Sequence, residues 1–388
     1  MFLTTLLRRN RAFVDAAVEL HRAGVLPANS YVLDLEAVRH NAGLLRAEAD
    51  RLGLELLAMT KQVGRNPAFL AALADAGVTS CVAVDMACAR VVHREGLTIG
   101  HIGHLVQIPR AEAPAAAAMR PSNWTVFSED KAREAAAAAA ALGFEQDLLA
   151  RIHAPQDTFY SGHEGGFAAE DVRQVADMLN GLEGGRFAGV TTFPALLYDP
   201  ETRRVSPTPN LATLARAASA LGSGVRVNAP GTTSVEVLSL LAEHGATQVE
   251  PGHALTGTTP LHAVRDLPEL PAALYLSEVS HHHDGRAYFF GGGTYIDPVF
   301  PPYQVRAFAR DRLIDAELPP PAMIDYYGQL IGDDAEPLPA AGEAVVLGFR
   351  IQAFVTRAYV TAIDGVRAGT PRLAGVWTAA GDPASWPG

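Results

Sequence analysis

A buried β-strand is predicted at Leu54-Glu55-Leu56-Leu57-Ala58-Met59-Thr60-Lys61-Gln62, an apolar run of strand length that ends in a lysine. The 388-residue chain has only two lysines, Lys61 and Lys131. Lys131 follows Ser128 and two acidic residues, a pattern typical of a solvated helix start. Lys61 is therefore the candidate for any chemistry that needs a lysine amine.

Strands and helices are predicted to alternate after the Lys61 strand. Eight strands mostly separated by helices imply parallel pairing and predict an α/β fold, a (β/α)8 TIM-type barrel. A doubly wound open sheet is the alternative, but no Gly-x-Gly-x-x-Gly follows an early strand. The other strands are predicted at 78–84, 103–108, 123–127, 147–153, 186–192, 224–228 and 246–250, and the helices at 67–76, 86–95, 129–142, 168–181, 207–221 and 233–244.

The character of the chain changes near residue 262. From Ala263 onward helical periodicity fades, proline is frequent, and short β-like runs follow one another. We therefore expect two domains: residues 1–262, a barrel that includes an N-terminal helix, and residues 263–388, a mostly β C-terminal domain.

Composition excludes several classes of protein. A net charge of −11 disfavours nonspecific nucleic-acid binding, which needs a basic surface. No apolar run is long enough to span a bilayer, and the N-terminus lacks the apolar core of a signal peptide. The two cysteines, Cys81 and Cys88, cannot form a disulfide framework, so a cytoplasmic location is predicted.

The loops after the last two barrel strands have the composition of a phosphate site. The loop after the seventh strand contains Asn228, Gly231, Thr232, Thr233 and Ser234 and runs into a predicted helix. Backbone N–H groups and a helix N-terminus favour an anion, although the same residues also suit an ordinary N-capped turn. Together with a lysine at the end of the first strand, these loops favour pyridoxal phosphate, which joins a Schiff-base aldehyde to a phosphate.

The chain resembles the alanine-racemase family over about residues 28–262. The stretch Tyr31-Val32-Leu33-Asp34-Leu35-Glu36-Ala37-Val38-Arg39-His40-Asn41-Ala42 is similar to the opening of those enzymes, and the Lys61 strand matches their Schiff-base strand. The similarity is greatest to a bacterial branch, the YhfX-like proteins. It implies an amino-acid substrate and a homodimer in which the β domain of one subunit completes the active site of the other.

Two departures from the alanine-racemase pattern concern the cofactor. Glu250 stands where alanine racemases carry the arginine that touches the cofactor ring nitrogen, and a glutamate there should favour a protonated pyridinium. The turn Glu250-Pro251-Gly252-His253 is closer to the Glu-Pro-Gly-Arg turn of decarboxylases of the same fold, with His253 in place of a phosphate-binding arginine. Phe193 occupies the position of a histidine that stacks on the cofactor ring.

The resemblance also implies roles for an aspartate and a tyrosine. Asp85 is similar to an orienting residue of the decarboxylases, although it also suits a helix N-cap. Tyr327 falls near the place where decarboxylases present a partner-subunit residue to the substrate, and Tyr295 is the second choice for this acid. By motif, His101 and His104 have no carboxylate partner, and no metal site is predicted.

We therefore expect a pyridoxal-phosphate-dependent amino-acid racemase in which Lys61 and a partner-supplied tyrosine act on opposite faces of the substrate. A decarboxylase is the alternative, favoured by Glu250. A third possibility is a noncatalytic carrier or regulator of the cofactor, which the predicted β domain disfavours.

Overall fold

The computed structural model describes residues 1–296, 305–320, 323–332 and 336–386. It divides into two compact units, and neither is a continuous segment. The barrel unit consists of Ala42–Thr60 and Ala74–Gly252, and the sheet unit consists of Met1–Asn41, Lys61–Leu73 and His253–Gly388.

The barrel unit is built on a closed ring of parallel strands. The first strand is interrupted at Leu57, so that Glu55–Leu56 pairs with the eighth strand and Ala58–Met59 pairs with the second. Each edge of the ring is thereby paired, and the predicted (β/α)8 barrel is confirmed. In chain order the remaining strands are Ser80–Ala83, Thr98–Ile102, Trp124–Val126, Gln146–His153, Gly185–Thr191, Arg226–Asn228 and Gln248–Val249.

Helices alternate with these strands as predicted. Short additions occur after the fifth and sixth strands, where Phe167–Ala168 pairs with the fifth strand and Leu196–Asp199 forms a hairpin with Arg204–Pro207. The α-helices are Leu35–Leu52, Pro67–Asp75, Met86–Arg94, Ala113–Ala118, Glu129–Ala140, Val172–Asn180, Pro209–Leu221 and Leu238–Glu243, and 3-10 turns lie at Lys61–Val63, Arg110–Glu112, Ala169–Asp171 and Val235–Val237.

The third strand lies at Thr98–Ile102 and not at 103–108, so this prediction was wrong. The cause is Gly103, which has φ of 77° and ends the strand. A Cβ at Gly103 would lie 2.7 Å from the carbonyl oxygen of Thr125, so the turn approaches the fourth strand as only glycine permits. His101 therefore lies within a barrel strand.

The sheet unit contains nine strands within the described residues, and six of them close into an antiparallel barrel. The closing pairs join Ala273–His283 to Arg286–Phe290 and to Ala344–Leu347. The predicted mostly β domain is thus confirmed. The nine strands are Ser30–Asp34, Ala273–His283, Arg286–Phe290, Val305–Ala309, Arg312–Glu317, Tyr327–Ile331, Ala344–Leu347, Tyr359–Asp364 and Arg372–Thr378; short helices lie at His253–Thr256, Pro260–Val264 and Ala353–Val355.

The N-terminal segment belongs to the sheet unit and not to the barrel, contrary to the prediction that residues 1–262 share one domain. Ser30–Asp34 pairs with Ala273–His283 on one side and with Tyr359–Asp364 on the other. Two amphipathic helices, Phe2–Arg9 and Arg11–Arg22, pack their apolar faces on this sheet. Sequence separation concealed these contacts. Among the described residues, no helix is both long and apolar enough to cross a membrane.

Candidate active site

Glu250 lies at the C-terminal end of the eighth barrel strand and is held by residues from two other strands. His101 Nδ1 is 2.5 Å from Glu250 Oε1, and the Asn228 side-chain amide donates to the same oxygen at 2.8 Å. The Thr191 hydroxyl donates to Asn228 Oδ1 at 2.7 Å, which orients the amide nitrogen toward Glu250. All four side chains are buried. The sequence predicted Asn228 and Glu250 but assigned His101 no carboxylate partner, which was wrong.

The electrostatics of this cluster favour an ionised Glu250. Burial raises the pKa of its carboxyl, but the charges of His104 and His101 and the hydrogen bonds from His101 and Asn228 outweigh burial. The net effect lowers the pKa from the usual 4.5 to about 2. Glu250 Oε2 lies 3.5 Å from His104 Nε2 and has no hydrogen-bond partner among the described residues. A buried anion therefore retains one acceptor for an N–H donor.

Within the described residues, one group of side chains has the residue types and spacing of a possible metal site: His101, His104 and Glu250. Two ligand atoms bound at about 2.1 Å to a tetrahedral zinc ion are roughly 3.4 Å apart. His101 Nδ1 and Glu250 Oε1 are only 2.5 Å apart, and Asn228 donates to the same oxygen. The geometry is that of a hydrogen-bonded network.

Phe193, predicted to stack on a cofactor ring, follows the sixth strand and belongs to an aromatic group. His104 packs edge-on against it with ring centroids 5.5 Å apart. Tyr160 and His163, from the loop after the fifth strand, lie at 5.6 and 6.3 Å. This loop therefore covers the residues that follow the sixth strand, next to Glu250's neighbour His104.

Arg151 on the fifth strand is a buried cation with few partners. Its side chain is 1% exposed and lies between Phe127 and Phe159, with the guanidinium carbon 4.5 and 5.6 Å from the ring centroids. Nη2 donates to the His163 carbonyl at 2.6 Å, whereas Nε and Nη1 have no hydrogen-bond partner among the described residues. Burial lowers the pKa of Arg151 to about 10, against the opposing charge of Glu164. An anionic ligand would compensate this charge.

The loop after the seventh strand has the features of the predicted anion site, except that a 3-10 turn replaces the start of the predicted helix. Gly231 has φ of 137°, and a Cβ there would lie 3.0 Å from the Leu196 carbonyl. Ser234 is 1% exposed, and its hydroxyl has no hydrogen-bond partner among the described residues. Thr232 and Thr233 lie between them. The predicted helix begins as the 3-10 turn Val235–Val237 before Leu238–Glu243, so loop N–H groups, more than a long helix dipole, would bind phosphate.

Lys61 is the first residue of the 3-10 turn Lys61–Val63, and Thr60 separates it in the chain from the end of the first barrel strand at Met59. Within the sheet unit its Nζ lies 5.3 Å from the centroid of the Phe354 ring. Lys131, in contrast, donates to the Ile108 carbonyl at 2.8 Å and to Glu134 Oε2 at 2.7 Å. Lys131 is thus a paired ammonium, and it lies at the helix start that the sequence predicted, in the first turn of Glu129–Ala140.

His253 is engaged within the sheet unit. Its Nε2 donates to the Ile351 carbonyl at 2.9 Å, and Nδ1 lies 3.5 Å from Arg350 Nη2. Burial, followed by the charge of Arg350, lowers the pKa of His253 well below its usual value. The imidazole is therefore neutral and donates to protein, which disfavours a phosphate contact through this side chain. Gly252 precedes it at the division between the units.

The remaining predicted residues occupy distinct settings. Asp85 is the N-cap of Met86–Arg94, and its Oδ1 accepts from the Cys88 N–H at 2.7 Å. In the sheet unit, Tyr327 and Tyr295 are 38% and 43% exposed, respectively. Tyr327 packs edge-on against His281 at 5.1 Å. Exposure makes both hydroxyls available, and their roles stay predictions.

Pyridoxal phosphate fits the groups of the barrel unit. Ser234 and the Gly231 backbone suit its phosphate, and Glu250 Oε2 suits a protonated ring nitrogen because it lacks a hydrogen-bond donor among the described residues. Phe193 offers an aromatic surface for the ring.

Comparisons with known proteins place these features in a family. The family alanine racemase, N-terminal domain, matches residues 33–260, and the family YhfX-like, C-terminal domain, matches residues 274–373. The uncharacterized protein YhfX of Escherichia coli strain K12 is 40% identical over 394 residues, covering 98% of this chain and 99% of that protein.

Solved structures share the fold at low sequence identity. D-threonine aldolase from Filomicrobium marinum has a TM-score of 0.69 and 18% identity, covering 92% of this chain and 96% of its own. D-threo-3-hydroxyaspartate dehydratase from Delftia sp. HT23 has a TM-score of 0.65 and 18% identity, covering 90% of this chain and 97% of its own. Alanine racemase of Clostridium difficile 630, in complex with cycloserine, has a TM-score of 0.61 and 16% identity, covering 91% of this chain and 99% of its own. With matches to both domain families and a full-length relative, the chain belongs to the alanine-racemase-like family, in the branch with a YhfX-like C-terminal domain.

Proposed function

We propose that this protein is a pyridoxal-phosphate-dependent enzyme that acts at Cα of an amino acid. The observation that carries the proposal is Glu250, a buried carboxylate that is ionised and has one oxygen without a hydrogen-bond donor among the described residues. A pyridinium N–H supplies both the donor and the opposite charge. When bound, the cofactor withdraws electrons from Cα, and a protonated ring nitrogen strengthens this effect.

Lys61 is the residue proposed to hold the cofactor. The alternative lysine, Lys131, is committed to Glu134 and to a backbone carbonyl. Once an amino-acid substrate displaces Lys61, its amine can take or return a proton on one face of Cα.

Three arginines, Arg110, Arg151 and Arg350, are candidates for binding the substrate carboxylate. Arg110 is paired with Glu134 and 83% exposed, and Arg350 lies 3.5 Å from His253 Nδ1 in the sheet unit. Arg151, in contrast, is buried and incompletely paired. We therefore assign this role to Arg151.

Racemisation is the first reaction proposed. It needs an acid on the face opposite Lys61, and we propose that Tyr327 of a second copy of the chain supplies it, with Tyr295 as the second choice. Their exposure on the sheet unit is consistent with presentation to another subunit in a homodimer. The alanine racemase of Clostridium difficile 630 has the same fold.

Decarboxylation is the second candidate, and Glu250 favours it. A cofactor whose ring nitrogen is held protonated by Glu250 would favour loss of carbon dioxide from Cα as well as loss of a proton. Fold neighbours named as an aldolase and a dehydratase widen the set of reactions at Cα and Cβ. A third candidate is a cofactor carrier without turnover, which the experiment described next also detects.

The test is incubation of the holoenzyme with single L- and D-amino acids in deuterium oxide. Racemisation predicts the opposite enantiomer with deuterium at Cα, detected by chiral chromatography and mass spectrometry. Carbon dioxide and an amine, formed without the opposite enantiomer, would show decarboxylation in place of racemisation. An aldehyde or a keto acid would instead show cleavage or elimination. A bound cofactor with no product from any amino acid would favour a carrier. Lys61→Ala should abolish turnover, and Lys131→Ala is the matched control.

A further inference from the structure

The polar network around Glu250 extends beyond the residues that would meet a cofactor. His101 Nε2 lies 2.5 Å from the Thr125 hydroxyl oxygen, on the opposite side of the ring from Glu250. His101 and Thr125 are fully buried and lie on the third and fourth barrel strands. Neither residue has an assigned role.

The chemistry of the three groups determines where the protons lie. An ionised Glu250 can only accept, so His101 Nδ1 must carry a proton and donate it. A neutral His101 then has Nε2 as an acceptor, and the Thr125 hydroxyl can donate to it. If His101 is charged, the same hydroxyl oxygen accepts from Nε2. Thr125 therefore supports the Nδ1–H form of His101 in either protonation state.

This arrangement also determines which carboxylate oxygen of Glu250 remains available to accept a further hydrogen bond. His101 and Asn228 both donate to Oε1, so Oε2 is the oxygen left for a further donor. Among the described residues, the titratable side chains that contact the Glu250 carboxylate are His101, on the third strand, and His104, in the turn after it. The remaining neighbour, Asn228, is neutral.

We propose that His101, supported by Thr125, is a positioning residue that fixes Glu250 through Oε1 and leaves Oε2 directed toward the ring nitrogen of the cofactor. The proposal rests on the proposed function, because it assumes that pyridoxal phosphate is the group Glu250 meets. It adds two residues outside the cofactor contacts to the machinery. Their effect is on the protonation of the ring and on cofactor affinity.

The experiment uses full-length protein loaded with pyridoxal phosphate labelled with 15N at the ring nitrogen. Three variants separate the roles: His101→Leu removes the donor, His101→Asn places an amide N–H where Nδ1 lies, and Thr125→Val removes only the hydroxyl. Thr213→Val is the matched control, because Thr213 is equally buried but hydrogen-bonds Asp157 on another part of the barrel unit. The readouts are the 15N chemical shift against pH and the dissociation constant of the cofactor.

We expect a protonated-ring 15N shift at neutral pH in the wild type, in His101→Asn and in the Thr213 control. His101→Leu should move the shift toward the unprotonated position and weaken cofactor binding roughly 10-fold or more. Thr125→Val should weaken it about 3- to 10-fold, since one hydrogen bond to the imidazole is lost. Because Thr125→Val is nearly isosteric, it keeps the test valid if His101→Leu fails to fold.

Unchanged shifts and affinities in both His101→Leu and Thr125→Val would overturn the positioning role while leaving the cofactor assignment intact. Equal losses in His101→Asn and His101→Leu would also overturn it, because the donated hydrogen bond would then not be the cause. A wild-type protein that binds no pyridoxal phosphate would instead overturn the proposed function itself. The two failures are therefore distinguishable.

Discussion

Replacing Glu250 with glutamine tests the charge at the centre of the barrel unit. The carboxyl pKa is lowered from 4.5 to about 2, a difference of about 2.5, and each unit corresponds to about 1.4 kcal/mol. Surrounding groups therefore stabilise the ionised over the neutral form by roughly 3 to 4 kcal/mol. Because glutamine mimics the neutral form in size and shape, Glu250→Gln should lower the free energy of unfolding at neutral pH by about that amount.

The pH dependence of this loss has a definite sign. A carboxyl whose pKa is depressed by folding contributes its full stability above the unfolded value of 4.5, and loses it as the pH falls toward about 2. The stability difference between wild type and Glu250→Gln should thus be constant from neutral pH to about 5 and shrink below that.

Urea unfolding of the cofactor-free proteins at several pH values measures this difference. Glu48→Gln is the matched control, since Glu48 pairs with Arg51 on a helix surface, where such pairs contribute under about 1 kcal/mol. A Glu250→Gln protein within 1 kcal/mol of wild type at neutral pH would refute an ionised Glu250 held by His101 and His104. A difference that does not change between pH 5 and 3 would refute it as well.

Three other predictions concern separate parts of the molecule. Tyr327→Phe should retain the cofactor and lower racemisation about 100-fold or more, measured by chiral chromatography; if Tyr295→Phe alone has this effect, the acid is Tyr295. Arg151→Met should raise KM for the amino acid about 10-fold or more without lowering the melting temperature, because it removes a buried, incompletely paired charge; an unchanged KM would exclude Arg151 as the carboxylate partner. Phe13→Ala should cost about 3–5 kcal/mol in urea unfolding, since Phe13 is fully buried between the N-terminal helices and the sheet; a loss below 1 kcal/mol would contradict that packing.

Periodicity was sufficient to predict the barrel. Alternating strand-like and helical runs imply parallel pairing without any knowledge of distant contacts, and seven of the eight barrel strands lie close to their predicted positions. The exception is the third strand, where Ile102, Leu105 and Val106 extend the apolar pattern past Gly103. A backbone angle that only glycine adopts readily ended the strand there, and hydrophobicity does not report it.

That single displacement hid the most informative contact. With His101 placed before a strand, it looked like a polar residue in a loop, and Glu250 lies 149 residues away. A signal was nevertheless present: a histidine between Gly100 and Ile102 in a β-prone run is a buried polar group that requires a partner. The N-terminal strand Ser30–Asp34 was likewise found correctly but assigned to the wrong unit, because its partners come from residues 273–283 and 359–364.

The side chains that would contact the substrate could be predicted only from the resemblance to a known family. The phosphate-loop residues and Glu250 follow from their positions at strand ends, and the barrel topology brings those ends to one face. Sequence does not distinguish Arg151 from Arg110 as a carboxylate partner, because only packing shows that Arg151 is buried and Arg110 is exposed. The proposed roles of Tyr327 and Tyr295 would require a second subunit, and contacts between subunits leave no periodic pattern in a single sequence.

Lys61 is the residue proposed to bond covalently to the cofactor, and mass spectrometry tests this bond directly. The protein should be purified with pyridoxal phosphate, reduced with borohydride, digested and examined by mass spectrometry, with Lys61→Ala alongside. With only two lysines in the chain, the assignment is unambiguous. We predict a phosphopyridoxyl group on the peptide that contains Lys61 and loss of the cofactor's visible absorption band in Lys61→Ala. A label on Lys131, or a band that persists in Lys61→Ala, would contradict the account.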